Sequence, residues 1–258
     1  MRVDVPHAWP ADEAEALALQ DRLRPLADHR GPGPAAPRLV AGLDVAYAGD
    51  GRGTGDLVAA AVVVIDTATL DVVERATATA TTTFPYVPGL FAFRELPVLV
   101  EALRTLRATP DLLLCDGHGL SHPRRFGLAC HLGVLTGLPT AGVAKTPFVG
   151  RYDPDALAPE RGAYADLLDG GETVGRALRT RTGVKPVYVS TGHGIDLATA
   201  CAHTLTLAPA YRLPETTRQS DRLSRVALAS TTSESLGRPR PRPRNGQVPV
   251  SRERGRAG

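Results

Sequence analysis

Between about residues 38 and 206, apolar segments that favour strands alternate with segments of helical periodicity. The segment RLVAGLDVAY (38–47) is a short apolar run, and residues 55–84 contain two β-rich runs joined by a turn near 66–70. Helical spacing of apolar residues returns in LFAFRELPVLVEALRTLRATP (90–110). Such alternation is typical of α/β domains, and the early pair of β-rich runs adds an antiparallel meander. We therefore predict a mixed β-sheet flanked by helices.

The remaining segments extend this pattern. Further strands are predicted in DLLLCDGHG (111–119), in LPTAGVAKT (138–146) and in the first part of residues 185–208. Further helices are predicted in residues 10–30, 124–137, the second part of 185–208, and 214–230. The polar, turn-rich section 148–183 is predicted to form surface strands and loops.

The positive charge of the chain is concentrated at its C-terminal end. Residues 237–258 carry seven Arg and one Glu, a net charge of +6, so residues 1–236 sum to −3 although the whole chain is +3. From about Thr231 the sequence is poor in apolar residues, and it includes an Arg-Pro alternation at 238–244. We therefore predict a folded domain over residues 1–230 and a disordered Arg/Pro-rich basic tail over residues 231–258. The tail would add salt-sensitive affinity for phosphates or have no specific role.

Cysteine usage and hydropathy indicate the compartment. Cys115, Cys130 and Cys201 show no CxxC spacing, which favours reduced, buried thiols over a disulfide framework. The N-terminal residues contain no apolar signal-peptide core, and no apolar run is long enough to span a membrane. We therefore expect a cytoplasmic protein with no membrane partner, and we expect a monomer.

Two apolar strands each carry one carboxylate near their end. Asp44 lies in LVAGLDVAY, and Asp116 ends the apolar strand in DLLLCDGHG, where glycines follow it. Glu95 follows the intervening Phe-Arg pair. A charge in a buried strand is costly unless it is paired or binds a metal. If the strands are neighbours, the three oxygen ligands suit Mg²⁺ or Mn²⁺. The alternative is three unrelated acids, with Asp44 capping a turn.

The segment DGHGLSHPRRFGLACHLG (116–133) offers two interpretations. His118 and His122 are four residues apart and could bind zinc on a helix, but two glycines and Pro123 disfavour a helix there. A glycine turn with His and Arg beside an acid suits phosphate handling better. His131 is expected to be a structural histidine.

Lys145 and Lys185 are the only lysines, against 28 Arg. Lys145 ends the predicted strand TAGVAKT, where ligands collect in α/β sheets, so we expect it near a reacting phosphate unless it is a plain surface residue. His193 stands on a second glycine turn in STGHGID, where it caps the site or shapes a loop.

Together these segments resemble the endonuclease V family of deoxyinosine-directed nucleases. The resemblance rests on VAGLDVAY, FPYVPGLFAFRE, PDLLLCDGHGLSHPRRFGLACHLG, GVAKT, GHGID and YRLPETTRQSDRL, which occur in family order over about residues 38–223. It implies a ribonuclease H-like fold and Mg²⁺-dependent hydrolysis, with Mn²⁺ able to substitute. The family cuts the second phosphodiester bond 3′ to deoxyinosine in DNA and leaves 3′-hydroxyl and 5′-phosphate ends.

The resemblance also implies which residues act. The metal ligands of the family fall on Asp44, Glu95 and Asp116, and two groups near the reacting phosphate fall on His122 and Lys145. The best-known members of the family carry a histidine in the last helix where this chain has Asp221, which makes Asp221 a candidate further ligand. The residues expected to contact DNA are the wedge Pro85, Tyr86, Val87 and Pro88, together with Gly89, Arg94, Gly117, Gly119 and His193.

The expected partner is DNA that contains deoxyinosine or other deaminated bases, because a weakly paired base costs least to extrude from the stack. Three alternatives remain at this point. One is an endoribonuclease of the same family that cuts single-stranded RNA at inosine. The others are a non-catalytic nucleic-acid-binding protein and a zinc hydrolase that uses His118 and His122.

Overall fold

The computed structural model describes residues 1–49, 51 and 53–237. The strands of this part are β1 Leu39–Tyr47, β2 Leu57–Asp66, β3 Val72–Thr81, β4 Leu112–Cys115, β5 Thr140–Ala144, β6 Tyr164–Asp169, β7 Glu172–Leu178 and β8 Val187–His193. The helices are α1 Glu13–Leu23, α2 Ala92–Thr105, α3 Leu128–Thr136, α4 Leu197–Thr206 and α5 Glu215–Gly237. Each predicted strand and helix is present, and the section 148–183 contributes β6 and β7.

The eight described strands form one mixed sheet in the order β3-β2-β1-β4-β5-β8-β7-β6. Strands β1, β2 and β3 make the antiparallel meander predicted at the front of the domain. The centre is parallel, with β4 between β1 and β5, and β8, β7 and β6 continue the sheet with antiparallel pairing. Because β1, β4 and β5 run in the same direction, their C-terminal ends lie at one edge of the sheet.

Side chains of β1 alternate between the two faces of the sheet. Leu43 packs with Leu96 of α2 in the largest apolar core. Gly42 faces α5 instead, and a Cβ atom placed there would lie 2.4 Å from the backbone of Thr216. The glycine thus lets α5 lie directly on β1 and brings that helix to Asp44, which shares the face of Gly42.

Side chains define where two helices begin. Oδ1 of Asp12 accepts the backbone N–H of Glu15 at 2.9 Å at the start of α1. Oδ1 of Asp196 accepts the backbone N–H of Thr199 at 2.9 Å at the start of α4. These caps satisfy amide groups that have no partner within the helix.

The last helix extends past the boundary predicted at Thr231. Helix α5 ends at Gly237, so the first seven residues of the predicted disordered tail are helical, which corrects that boundary. The hydroxyl groups of residues 231–233 donate to carbonyl groups four residues earlier, so this polar segment satisfies its side chains within the helix. The rest of the predicted tail, residues 238–258, lies outside the described residues.

The three cysteines are free and buried, as the sequence predicts. In the part of the chain that the structure describes, no helix combines the length and the apolar character needed to cross a lipid bilayer.

Candidate active site

Three aspartates meet at the sheet edge where β1 and β4 end. Asp44 lies on β1, Asp116 directly follows β4, and Asp221 lies near the start of α5. Parallel pairing of Leu43 with Cys115 places the two strand acids side by side. One oxygen from each of the three carboxylates lies within 4.8 Å of the others, and among the described residues no other trio of His, Cys, Asp or Glu does so.

A lysine ammonium group lies against this cluster. Lys145 directly follows β5, and its Nζ is 2.6 Å from Oδ2 of Asp116 and 3.8 Å from Oδ1 of Asp221. Nη2 of Arg225 donates to Oδ1 of Asp221 at 3.0 Å. Partial burial opposes a charged Lys145, but its bond to Asp116 and the neighbouring carboxylates outweigh this and raise its pKa. Lys145 is therefore a cation at neutral pH.

The carboxylates remain short of positive charge. Burial, together with repulsion by Asp116 and Asp221, raises the pKa of Asp44 to about 6 against the opposing hydrogen bond from Ser224. That bond runs from Oγ of Ser224 to Oδ2 of Asp44 at 2.5 Å. A divalent cation that prefers oxygen ligands would supply the missing charge. The donor set thus fits a hard metal ion better than a closed structural zinc site.

A cavity of about 440 Å³ opens beside the carboxylates and is lined in part by Glu95. Residues 86–89, Phe91 and Phe148 contribute to its wall. Tyr86 and Phe91 are 41% and 39% exposed, and their rings meet edge to face with centroids 6.2 Å apart. Such a cavity suits a flat ring with polar edges, because apolar walls and a few polar groups surround it.

His122 holds the loop that forms this wall. Its Nδ1 accepts the backbone N–H of Arg124 at 3.1 Å, so the proton is on Nε2, which donates to the carbonyl of Gly89 at 2.9 Å. Gln20 donates to the same carbonyl at 3.1 Å. Burial lowers the pKa of His122 to about 4, so the ring is neutral at pH 7. With both nitrogens occupied, His122 fixes the loop in this structure.

Comparison with known proteins identifies the family. The sequence profile described as Endonuclease V matches residues 22–222. Endonuclease V of Streptomyces avermitilis is 58% identical over 233 residues, which cover 90% of this chain and 99% of that protein. A crystal structure of endonuclease V from that organism has a TM-score of 0.82 at 56% identity, covering 90% of this chain and all of the other (100%). The chain belongs to the endonuclease V family.

A more distant endonuclease V gives a structure with nucleic acid. The protein from Ciona intestinalis, in complex with a 24mer DNA containing an inosine followed by a ribo-adenosine, is 28% identical, with a TM-score of 0.72. The alignment covers 84% of this chain and 98% of that one. The ribonuclease H-like α/β fold implied by the resemblance is confirmed. Endonuclease V nucleases depend on a metal, and the aspartate cluster could bind one.

The endonuclease V motifs predict Asp44, Glu95 and Asp116 as metal ligands, with Asp221 as a candidate further ligand. The three acids whose oxygens lie within 4.8 Å of one another are Asp44, Asp116 and Asp221. Glu95 comes from α2, across the sheet from α5, and lies beside the cluster. It is only 6% exposed, and burial followed by repulsion from Asp44 and Asp116 raises its pKa well above the usual range. The hydroxyl of Tyr47 lies 3.5 Å from its Oε1.

The structure does not support the zinc alternative. His118 and His122 both pack against Phe148, with ring centroids 5.7 Å and 5.5 Å from it. Neither histidine belongs to a group of three potential metal ligands among the described residues. Gly117 and His118 instead line the same cavity as the predicted wedge.

Arg94 does not lie where the endonuclease V motif suggested a DNA contact. Its side chain is completely buried (0% exposed), and it pairs with Asp56 at 3.4 Å. The guanidinium group also donates to the carbonyls of Phe84, Gly51 and Gly53 at 2.6, 3.0 and 3.0 Å. Arg94 therefore anchors the loops around the wedge and cannot reach a nucleic acid in this structure.

Gly119 and His193 also lie away from the cavity. The N–H of Gly119 donates to Oγ of Ser190 at 2.9 Å, and a Cβ there would lie 2.0 Å from the carbonyl oxygen of Thr191. Gly119 therefore allows close packing on β8. His193 pairs with Thr140 at the start of β5, the end opposite Lys145, and its Nδ1 accepts the backbone N–H of Asp28. His193 thus shapes a loop, which was one of its two predicted roles.

Sequence reasoning missed several groups at the site. Ser224 and Tyr47 bind the acids, Phe148 lines the cavity, and Gln20 supports the wedge loop. Ser224 follows Asp221 by three residues, so helical spacing could have placed it on nearly the same face of α5. The contact of Gln20 with Gly89 spans 69 residues and has no local signal.

Proposed function

We propose that the chain is a DNA repair endonuclease that recognises deoxyinosine and hydrolyses the second phosphodiester bond 3′ to it. The reaction leaves 3′-hydroxyl and 5′-phosphate ends and uses Mg²⁺, with Mn²⁺ as a substitute. The observation that carries the proposal is the cluster of Asp44, Asp116 and Asp221 against Lys145, beside an aromatic-rimmed cavity, in an endonuclease V chain. The inosine-containing DNA bound to the Ciona relative supports the substrate class.

Each charged group has a role in this reaction. Asp44, Asp116 and Asp221 would hold a metal ion, and Glu95 adds a fourth carboxylate beside them. A divalent metal held there would supply Lewis-acid polarisation of the scissile phosphate and a lower pKa for an attacking water. Lys145 moves its ammonium group from Asp116 to the phosphate oxygens, where it stabilises the negative charge that develops during hydrolysis.

The wedge loop performs base selection. Extruding a base costs a few kcal/mol and is least costly where pairing is weak, which favours inosine over a normal base. Tyr86 would stack in the space that the extruded base leaves. Residues 117–118, which line the cavity, would contact the polar edge of the extruded base. His122 keeps the wedge loop in place through Gly89 and does not have to transfer a proton.

A second candidate function is cleavage of single-stranded RNA at inosine. The oligonucleotide bound to the Ciona relative has a ribo-adenosine after the inosine, which is the observation that favours testing it. Three matched strands, all-DNA, all-RNA and DNA with one ribonucleotide after the inosine, distinguish the two functions. We expect the all-DNA strand to be cut, and faster cleavage of the all-RNA strand would reverse the assignment.

The central test uses a duplex with a single deoxyinosine and Mg²⁺. The wild type should produce one nick, one nucleotide past the lesion, and Asp44→Ala and Asp116→Ala should produce none. Asp71→Ala is the matched control, because Asp71 is an exposed acid between β2 and β3. Activity of the two cluster variants equal to that of the control would contradict the metal site.

A further inference from the structure

A further pocket is lined by Lys145 and lies next to the aromatic-rimmed cavity, with which it shares Thr146. It has a volume of about 490 Å³, and none of the seven residues that line it is acidic. The polar and charged side chains among them are Lys145, Thr146, Tyr152, Lys185, Tyr188 and Arg212. We name it the lysine pocket, because it contains both lysines of a chain whose other basic side chains are 28 arginines.

The charge of the lysine pocket differs from that of its surroundings. Residues 1–236 carry a net charge of −3, yet three cations and no acid line this pocket. Lys145 pairs with Asp116 and Asp221, which do not line it, so Lys185 and Arg212 are the cations not engaged by the aspartate cluster. Lys185 is exposed, and within the described part of the chain its ammonium group forms no ion pair. An unpaired cation in a concave site is available to an anion.

Arg212 is held rigidly in this pocket. Its Nη2 donates to the carbonyls of Lys145 and Pro186 at 2.7 and 2.8 Å, and its Nε lies 3.3 Å from the latter. Nη1 makes no hydrogen bond to any described residue and remains able to donate. A guanidinium group fixed in this way loses little side-chain entropy when it binds a phosphate.

The tyrosines add donors and aromatic surface. The rings of Tyr152 and Tyr188 have centroids 6.2 Å apart and are inclined by 55°. Burial, then a hydrogen bond with Tyr152, raises the pKa of Tyr188 to about 12, so its hydroxyl group keeps its proton at neutral pH. Cations combined with tyrosine faces are typical of surfaces that follow a single-stranded backbone.

The lysine pocket adjoins the candidate active site. Thr146 lines both this pocket and the aromatic-rimmed cavity, and Lys145 lines both this pocket and the surface of the aspartate cluster. A strand whose extruded base occupies the cavity and whose scissile phosphate reaches Lys145 would continue into the lysine pocket. Because the inosine lies on the 5′ side of the cut, the part of the strand that continues into the lysine pocket is the part on the 3′ side of the cut.

We propose that the lysine pocket binds a backbone phosphate of the substrate strand on the 3′ side of the scissile bond. The proposal rests on the function proposed above, since that function defines which bond is cut. It makes Lys185 and Arg212 binding residues for the fragment that leaves with the 5′-phosphate.

The test compares two single strands that share one deoxyinosine, one ending directly after the scissile position and one extended by six nucleotides on its 3′ side. Binding is measured by fluorescence anisotropy in EDTA, where no cleavage occurs. We expect the 3′ extension to tighten wild-type binding several-fold and Lys185→Ala to remove most of that gain. For the long strand, the slope of log Kd against the logarithm of the salt concentration should be smaller by about 0.7 in Lys185→Ala than in the wild type, because one phosphate contact is lost.

Two further variants make the result specific. Lys185→Arg keeps the charge and should restore the gain from the 3′ extension. Arg181→Ala removes an exposed cation from the same loop that does not line the pocket, and it should behave as wild type. An equal gain for Lys185→Ala and wild type overturns the proposal, and a gain from extending the 5′ side instead overturns the assigned side.

A cleavage assay on the same strands with Mg²⁺ separates this proposal from the proposed function. Absence of cleavage by the wild type would overturn the proposed function. The binding assay decides on the lysine pocket independently, because it requires no turnover.

Discussion

Oγ of Ser224 on α5 donates a 2.5 Å hydrogen bond to Oδ2 of Asp44 on β1, across 180 residues of sequence. The same hydroxyl group lies 2.9 Å from the carbonyl of Asp221. Ser224 therefore orients the carboxylate of Asp44, one of the three acids that are proposed to hold the metal. Groups that orient metal ligands typically change metal affinity or activity by about 10–100-fold when they are removed.

Ser224→Ala should raise the Mg²⁺ concentration needed for half-maximal cleavage about 10-fold while the protein stays folded. Titrating Mg²⁺ in the cleavage assay measures this shift. Ser220→Ala, one turn earlier, is the control, because Ser220 is also buried but donates to the carbonyl of Thr217 and does not touch Asp44. Equal Mg²⁺ requirements for the two variants would show that the Ser224 bond has no role in metal binding.

Glu95→Gln should abolish cleavage and stabilise the metal-free protein. Burial and neighbouring acids raise the pKa of Glu95 in the folded state, so its ionisation costs stability as the pH rises above the unfolded value near 4.5. Glutamine has nearly the same shape and no charge. We expect a Tm higher by a few degrees at pH 7 in EDTA, measured by calorimetry. A lower Tm would mean that the carboxylate is stabilising without metal.

Arg94→Ala should destabilise the fold by about 3–5 kcal/mol, because a completely buried guanidinium group leaves three carbonyls and Asp56 without their partner. Urea unfolding measures the change. Arg75→Ala, on the exposed side of β3, should stay within about 0.5 kcal/mol of wild type. If the two variants were equally stable and Arg94→Ala bound DNA more weakly, the result would support the DNA contact of Arg94 that the sequence suggested.

Tyr86→Ala should reduce discrimination between deoxyinosine and deoxyadenosine while metal binding is retained. The residue is 41% exposed at the rim of the cavity, and stacking on one aromatic side chain contributes about 1–3 kcal/mol per base. The ratio of the two Kd values should therefore fall about 5-fold or more. Unchanged discrimination would assign the wedge to other residues of the loop. The Mg²⁺ requirement of the variant serves as the internal control.

His131 should make the protein sensitive to acid. Burial and then His7, whose Nε2 is 3.4 Å from Nε2 of His131, lower the pKa of His131 to about 3. The neutral ring favours folding above the unfolded value near 6.5, so stability is lost as the pH falls from about 6.5 towards 3. His131→Leu should reduce the slope of the unfolding free energy against pH in this range by about 1.4 kcal/mol per pH unit.

His203→Gln is the control for that measurement, since it removes a histidine whose ring binds the carbonyl of Pro34 rather than the ring of His7. Burial also lowers the pKa values of His118 and His122 to about 4, so part of the slope should remain in the His131 variant. If His131→Leu kept the full wild-type slope of unfolding free energy against pH, protonation of His131 would not be a cause of the acid sensitivity.

The elements were predictable because each has its own periodicity. The apolar run of β1 and the helical spacing of α2 are local signals, and pairing of the parallel strands brings Asp44 and Asp116 together. The sequence did not predict from which face of the sheet the helix acids, Asp221 and Glu95, approach the cluster. Asp221 reaches the cluster because Gly42 lets α5 lie on β1, whereas Glu95 approaches from α2.

Burial decided the other differences. Arg94 belongs to the same motif as Glu95, yet loop carbonyls more than 40 residues earlier in the chain take up its guanidinium group. His193 stands on a glycine turn like that of His118, but β8 runs antiparallel to β5 and carries it to the far edge. Both outcomes depend on long-range pairing, which a local motif does not encode.

The position of α5 has a consequence for synthesis. A chain emerging from the ribosome supplies β1 and β4 early, but Asp221 and Ser224 come only with the last helix. Because synthesis proceeds from the N-terminus, prematurely ended chains that stop before α5 lack both Asp221 and the serine that holds Asp44. The order of the elements thus makes the acid cluster one of the last parts of the domain to be completed.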